Sequence, residues 1–195
     1  MNKKIIGLIV FFIVIVAMVG GFFLWQNNRV VVGNVDDYVI KTLENNSVIV
    51  ENKKAGLSFE VPEGWEWEKI DEVEGSVIVY SPDTEFIKPK TVPLKKGCLI
   101  GIGIIYEKKS FGELKEEIND IHYGLGVKSE KFEIIEINNQ QALKNTFDTA
   151  FMGKGTSIYI PCGNKFYSFA VYAGPDDEEQ CLKDFDEFSN KMSYE

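Results

Sequence analysis

The chain has 195 residues, 45% of them hydrophobic and 26% charged, with a formal net charge of −9. An aromatic content of 13% is too much apolar surface for a disordered chain. The absence of a repeat or a sustained heptad excludes a fibrous rod. The acidic balance argues against nucleic acid, which selects clustered Lys and Arg.

The first elements are set by charge. Residues 1–4 form a basic flank with Lys3 and Lys4, and residues 5–25 then run 21 positions without one charge. At about 1.5 Å per residue a helix of that length spans the roughly 30 Å hydrocarbon core. Trp25 closes the run, where an indole favours the interface, and the basic flank favours the cytoplasm. The expectation is an uncleaved single-pass signal-anchor that contacts the lipid bilayer, with the rest of the chain extracytoplasmic. Val19-Gly20-Gly21 is a passable cleavage site, but Phe22 to Trp25 continues the apolar run beyond it. Residues 26–195 hold 19 basic and 30 acidic residues, a net of −11, which anionic lipid repels.

Residues 26–46 read as a stalk. Val35, Val39, Ile40 and Leu43 recur at helical spacing behind Asn34 or Asp36, so a short helix is expected there. The remaining 47–195 form the expected domain. Short β-rich runs cover 47–50, 56–61, 65–70 and 76–81, and the proline- and lysine-bearing stretch 84–97 reads as a loop. A long apolar strand follows over 98–106. Ser110-Phe111-Gly112-Glu113 has the spacing of a capping box and starts a helix with Phe111, Leu114, Ile118 and Ile121 as its apolar stripe. Asn138-Asn139 is a turn between strands 131–137 and 141–149. A second hairpin joins 156–161 to 165–173 across Cys162-Gly163-Asn164. Asp176, with Glu179 three residues on, caps a last helix whose Leu182, Phe185, Phe188 and Met192 face inward. Short turns demand antiparallel pairing. The fold class is therefore α+β: a single twisted antiparallel β-sheet with two main packed helices, preceded by the N-terminal transmembrane helix.

Gly56-Leu57-Ser58-Phe59-Glu60-Val61-Pro62-Glu63-Gly64-Trp65 resembles the opening of PsbP-like domains, with their short strand followed by Pro and Trp. The later order fits too: a strand, Ser-Phe-Gly-Glu-Leu opening a helix, strands ending in Lys-Phe-Tyr-Ser-Phe, and a C-terminal helix carrying Phe. The resemblance covers about 47–193. It implies the fold, and a membrane-anchored bacterial extracytoplasmic type. The photosynthetic members assist assembly and stability of a membrane complex, and the resemblance brings no catalytic residue.

Chemistry-bearing constellations are sparse. His122 is the single histidine and reads as a flank residue at a helix C-terminus, where partial positive charge suits the dipole. A Ser-His-Asp or Cys-His device would have to use it, and one His with scattered Cys cannot supply the four clustered ligands of a zinc site, so neither a metal, a catalytic residue nor a cofactor is expected. Gly153-Lys154-Gly155-Thr156 has the composition of a phosphate loop but the wrong order. The three cysteines are Cys98, Cys162 and Cys181. Cys162 and Cys181 are expected to pair, with Cys98 as the odd, buried thiol; the alternative is free buried thiols. Trp65 and Trp67 share one strand face by parity, and could stack on sugar rings or pack in the core. Phe166, Tyr167, Phe169 and Tyr172 put aromatics on both faces of one strand, and one of those faces is expected to be exposed. Trp65, Trp67, Tyr167 and Tyr172 are thus the candidate ligand or partner contacts. Two main readings follow: a non-catalytic accessory domain that binds a protein partner, or a module at the cell surface for a glycan or small ligand. A carboxylate hydrolase is the third and weakest.

Overall fold

The structure is a computed structural model, which describes residues 31–194 apart from Asn45, 71–75 and 89–91. The expected transmembrane helix lies outside the described residues. Among the described residues no helix is long and apolar enough to cross a membrane. Residues 32–195 form one compact unit.

The elements run β1 (Val31–Val32), β2 (Tyr38–Thr42), β3 (Val48–Asn52), β4 (Leu57–Glu60), β5 (Glu66–Ile70), β6 (Ser76–Tyr80), β7 (Glu85–Phe86), β8 (Leu94–Lys96) and β9 (Cys98–Tyr106). They continue with α1 (Phe111–Gly124), β10 (Val127–Ile137), β11 (Gln140–Thr149), β12 (Gly153–Cys162), β13 (Lys165–Ala173), α2 (Glu178–Asn190) and β14 (Ser193–Tyr194). The larger sheet takes the order β10-β11-β12-β13-β9-β6-β5, a smaller one β14-β4-β3-β2, and β7 pairs with β8. Pairing is antiparallel along all of these orders. The class is α+β as expected, but the strands divide among three sheets where one was expected.

Three local readings change. The segment 35–43 is a 3-10 turn over Val35–Asp37 followed by strand β2, not a helix. Tyr38 is buried while Val39 is exposed, so alternation, not helical periodicity, governs it. The stretch 84–97 contains the small β7–β8 pair. The last helix is capped by Asp177, not Asp176, and Asp177 makes no side-chain cap bond.

Other signals carried through. Asn138 and Asn139 have φ of 50° and 63°, the left-handed pair that a tight hairpin turn requires. Ser110 and Glu113 form the reciprocal capping box. The larger sheet is covered on both faces. Its inner face presents Val77, Val79, Ile100, Ile102, Ile104, Ile158, Ile160, Tyr167, Phe169 and Val171. These pack in one core with Tyr38, Val50, Leu57 and Phe59 of the smaller sheet and Cys181, Phe185 and Phe188 of α2. The outer face packs Leu143, Tyr159 and Phe166 against Leu114 and Ile118 of α1. A second outer cluster joins Ile78 and Leu99 to Leu94. Each fully buried large side chain contributes about 1.5–3 kcal/mol.

The capping box gives the test of this part of the account. Ser110→Ala should lower unfolding stability by about 1 kcal/mol, read as a shift in urea midpoint with unchanged slope. An unchanged midpoint would mean that α1 is held by its packing alone.

Candidate functional site

The sequence-predicted aromatics are not gathered into one site. Tyr167 is 0% exposed. Its hydroxyl donates to the Ala55 carbonyl at 2.6 Å, tying the larger sheet to the turn after β3. Tyr172 lies on the opposite face, with its hydroxyl 3.6 Å from the Met152 sulfur. Burial pushes the Tyr172 phenol up to about 12, helped by nearby Tyr159. Phe166 and Phe169 are buried as well. Neither face of this strand is open: the main core covers one side, and on the other α1 covers Phe166 while Tyr172 packs half-buried against the cluster of Ile78, Leu94 and Leu99.

Trp65 and Trp67 do not form a common platform on one strand. Trp65 precedes β5, its N–H donating to the Pro62 carbonyl at 3.0 Å, and it is half-buried against the main core. It lines two neighbouring clefts of about 260 and 500 Å³. Glu60 and Glu63 border both, and Asp184, Glu187 and Lys191 border the smaller. Trp67 is 37% exposed on the edge strand β5.

The cysteines pair differently from the expectation. Cys98 is bonded to Cys181, and Cys162 is free and half-buried. The reason is topological. Cys98 begins β9 beside Ala173, the last residue of β13. From Ala173 the chain passes through Gly174 into α2, whose first turns bring Cys181 over that end of β9. Cys162 ends β12 at the other end of β13, opposite Lys165. The Asp177 carboxylate accepts the Gly97 N–H at 2.7 Å, and the Gly174 N–H donates to the Gly97 carbonyl at 2.8 Å. Gly174 is needed there, because a Cβ would sit 2.6 Å from both the Asp177 carboxylate and the Lys96 Cα.

His122 is not a flank residue. It is 5% exposed and continues the α1 stripe of Leu114 and Ile118 at four-residue spacing, while Ile121 is 56% exposed. His122 Nδ1 lies 2.5 Å from Glu130 Oε1 on β10. The Asn145 amide of β11 donates to the same oxygen at 2.9 Å. The imidazole also lies 4.6 Å from the Phe147 ring. Gly155 has its place through that ring, since a Cβ there would meet Phe147 at 2.6 Å. The glycines around Lys154 thus serve aromatic packing. Sequence reasoning missed this His–Glu–Asn cluster. Its signal was a histidine four residues past Ile118 and an asparagine inside the alternation of β11.

Two features remain at one end of the larger sheet. The first is apolar surface. Tyr123 is 86% exposed, Phe151 67%, Ile121 56% and Val127 39%. The backbone brings these segments together. The Gly126 N–H donates to the Tyr123 carbonyl, the Ala150 N–H donates to the Gly126 carbonyl at 2.9 Å, and Val127 pairs with Thr149. The second is a cavity of about 300 Å³ between α2 and the ends of β12 and β13. Leu94, Val171, Ala173, Pro175, Cys181 and Leu182 supply its apolar wall. Asp148, Lys154 and Glu178 supply its charge, with Lys154 and Glu178 3.3 Å apart. Among the described residues no group of three or more His, Cys, Asp or Glu side chains is placed to hold a metal ion.

No family model matches the chain, and no curated protein matches it. Among solved structures, the chain is similar to the solution structure of cyanobacterial PsbP from Synechocystis sp. PCC 6803. The TM-score is 0.50 at 12% identity, over 75% of this chain and 91% of that one. At that identity the likeness speaks for the fold: this chain has a PsbP-like, antiparallel-sheet-rich α+β architecture with two helices.

The unreduced, unfolded protein should react with an alkylating reagent at one thiol, on the peptide carrying Cys162, and at three after reduction. Labelling of Cys98 before reduction would contradict the pairing. Reduction should cost about 4.5 kcal/mol, from the chain-entropy estimate for a sequence separation of 83. His122→Leu should cost about 2–3 kcal/mol, because it strands the Glu130 carboxylate beneath α1. The double variant His122→Leu/Glu130→Leu should recover at least half of that loss. A neutral single variant would show that the pair contributes nothing.

Proposed function

We propose that this chain is a membrane-tethered extracytoplasmic domain without catalysis of its own, which acts as an accessory module by binding a protein partner. The observation that carries the reading is the exposed apolar end made by Ile121, Tyr123, Val127 and Phe151. Large exposed apolar patches are costly in a soluble domain and mark interaction surfaces. Two of these four residues are aromatic, the type enriched where protein partners meet. The PsbP-like fold supports the same reading, through the accessory role that the resemblance implies.

Charge favours a protein over lipid. Residues 32–195 carry 30 acidic residues against 18 lysines, a net of −12, which opposes anionic lipid.

A second reading, a glycan or small-ligand module, draws on Trp65 and Trp67. Quenching of their fluorescence by soluble glycan fragments, lost in Trp65→Ala, would favour it.

The partner reading is tested with the full-length protein crosslinked in its native membrane. Wild type should co-purify with a recurrent stoichiometric protein. Tyr123→Glu/Phe151→Glu should reduce that yield at least tenfold while leaving the free-thiol count and the unfolding midpoint unchanged. Undiminished capture by the double variant would overturn the assignment of the patch.

A further inference from the structure

We infer that the cavity between α2 and the ends of β12 and β13 receives one large apolar side chain of the protein partner, from a segment that carries basic residues on either side of it. The inference rests on the protein-partner reading and specifies the partner's chemistry.

Size decides what fits. A cavity of about 300 Å³ stands at the lower limit of small-molecule sites and suits a single bulky side chain. The apolar lining of Leu94, Val171, Ala173, Pro175 and Leu182 offers such a group contact but few hydrogen bonds. Two of the lining residues are prolines, Pro93 and Pro175, which have no backbone N–H to offer a polar ligand.

Position ties the cavity to the apolar end. Gly153 to Thr156 line it, and Phe151 precedes that run by two residues in the β11–β12 turn. A segment lying across Phe151 therefore reaches the cavity within a few residues. Anchors seated in pockets and ringed by weaker contacts are the usual form of a protein interface.

Charge sets the flanking residues. Asp148 and Glu178 line the mouth, and Asp176 and Glu179 stand beside Glu178 at the start of α2. Lys154 is the one cationic side chain in the lining. Its pair with Glu178 at 3.3 Å, and that of Lys128 with Asp148 at 3.3 Å, are exposed contacts of small worth, so both carboxylates stay available. The neighbouring Lys95 and Lys96 pair with Glu85 and Asp83. Basic residues on the incoming segment would meet this excess of carboxylate.

The test uses full-length protein in phosphatidylcholine nanodiscs and three capped pentapeptides: Lys-Gly-Phe-Gly-Lys, Lys-Gly-Ser-Gly-Lys and Glu-Gly-Phe-Gly-Glu. The first should bind at least tenfold more tightly than either of the others, at millimolar affinity or better. Ala173→Trp, which fills the cavity, should reduce the Phe-over-Ser preference to less than threefold. Glu178→Lys, an exposed change that leaves the core intact, should shift preference toward the acidic peptide and covers the case in which Ala173→Trp fails to fold. Equal affinities for the three peptides, no binding up to about 10 mM, or preferences that survive Glu178→Lys would overturn the inference. If that happens while Tyr123→Glu/Phe151→Glu still abolishes partner capture, only the cavity assignment falls. If capture survives that double variant, the partner reading falls with it.

Discussion

The Cys98–Cys181 bond joins positions 83 residues apart and fixes α2 to β9, an interior strand of the larger sheet. Around it the Asp177 carboxylate and the Gly174 N–H both bond to Gly97, so the start of α2 is held by a covalent link and two hydrogen bonds. That attachment has two consequences. It lays Phe185 and Phe188 over the inner face, where they close the main core against Phe169 and Phe59. It also leaves a gap where α2 leaves the sheet, and that gap is the cavity. The same contacts that complete the core therefore create the concave feature of this end.

Burial of the sheet on both faces determines which residues remain for function. Aromatics on β13 are used up by packing: Tyr167 and Phe169 inward, Phe166 and Tyr172 outward. The outer face is completed by α1, whose stripe ends in a histidine because Glu130 and Asn145 supply polar partners under its last turn. His122 is thereby pinned inward, and the helix turns Ile121 and Tyr123 outward. The exposed apolar end follows from the geometry of that buried His122–Glu130 contact together with the tight turn that raises Phe151.

Much of the fold was legible because its signals are local. The capping box at Ser110, the paired asparagines at 138–139 and the long run of β9 all act within a few residues. The outline of α1 followed by four strands and α2 came from them. What was not legible depends on contacts between distant segments. The separation of Cys162 and Cys181 in sequence gives no hint that β13 places them at opposite ends of the sheet. The apparent helix over 35–43 had helical spacing, yet pairing with β3 outweighed it, since edge-to-edge hydrogen bonds are invisible in periodicity. The alternation of Phe166 to Tyr172 was read correctly as two faces, but only tertiary structure shows that both are covered. The candidate site was the least legible part, because Tyr123 and Phe151 are ordinary residues until the backbone brings their segments together.

The proposed recognition surface is the end of the domain that carries Tyr123 and Phe151. A site-specific photo-crosslinker tests this most directly, carried in turn at 123, 151, 133 and 53 in membrane-embedded full-length protein. The account predicts one shared crosslinked protein at 123 and 151, and none at 133 or 53. Crosslinks to lipid alone at 123 and 151, or the same protein at all four positions, would contradict it.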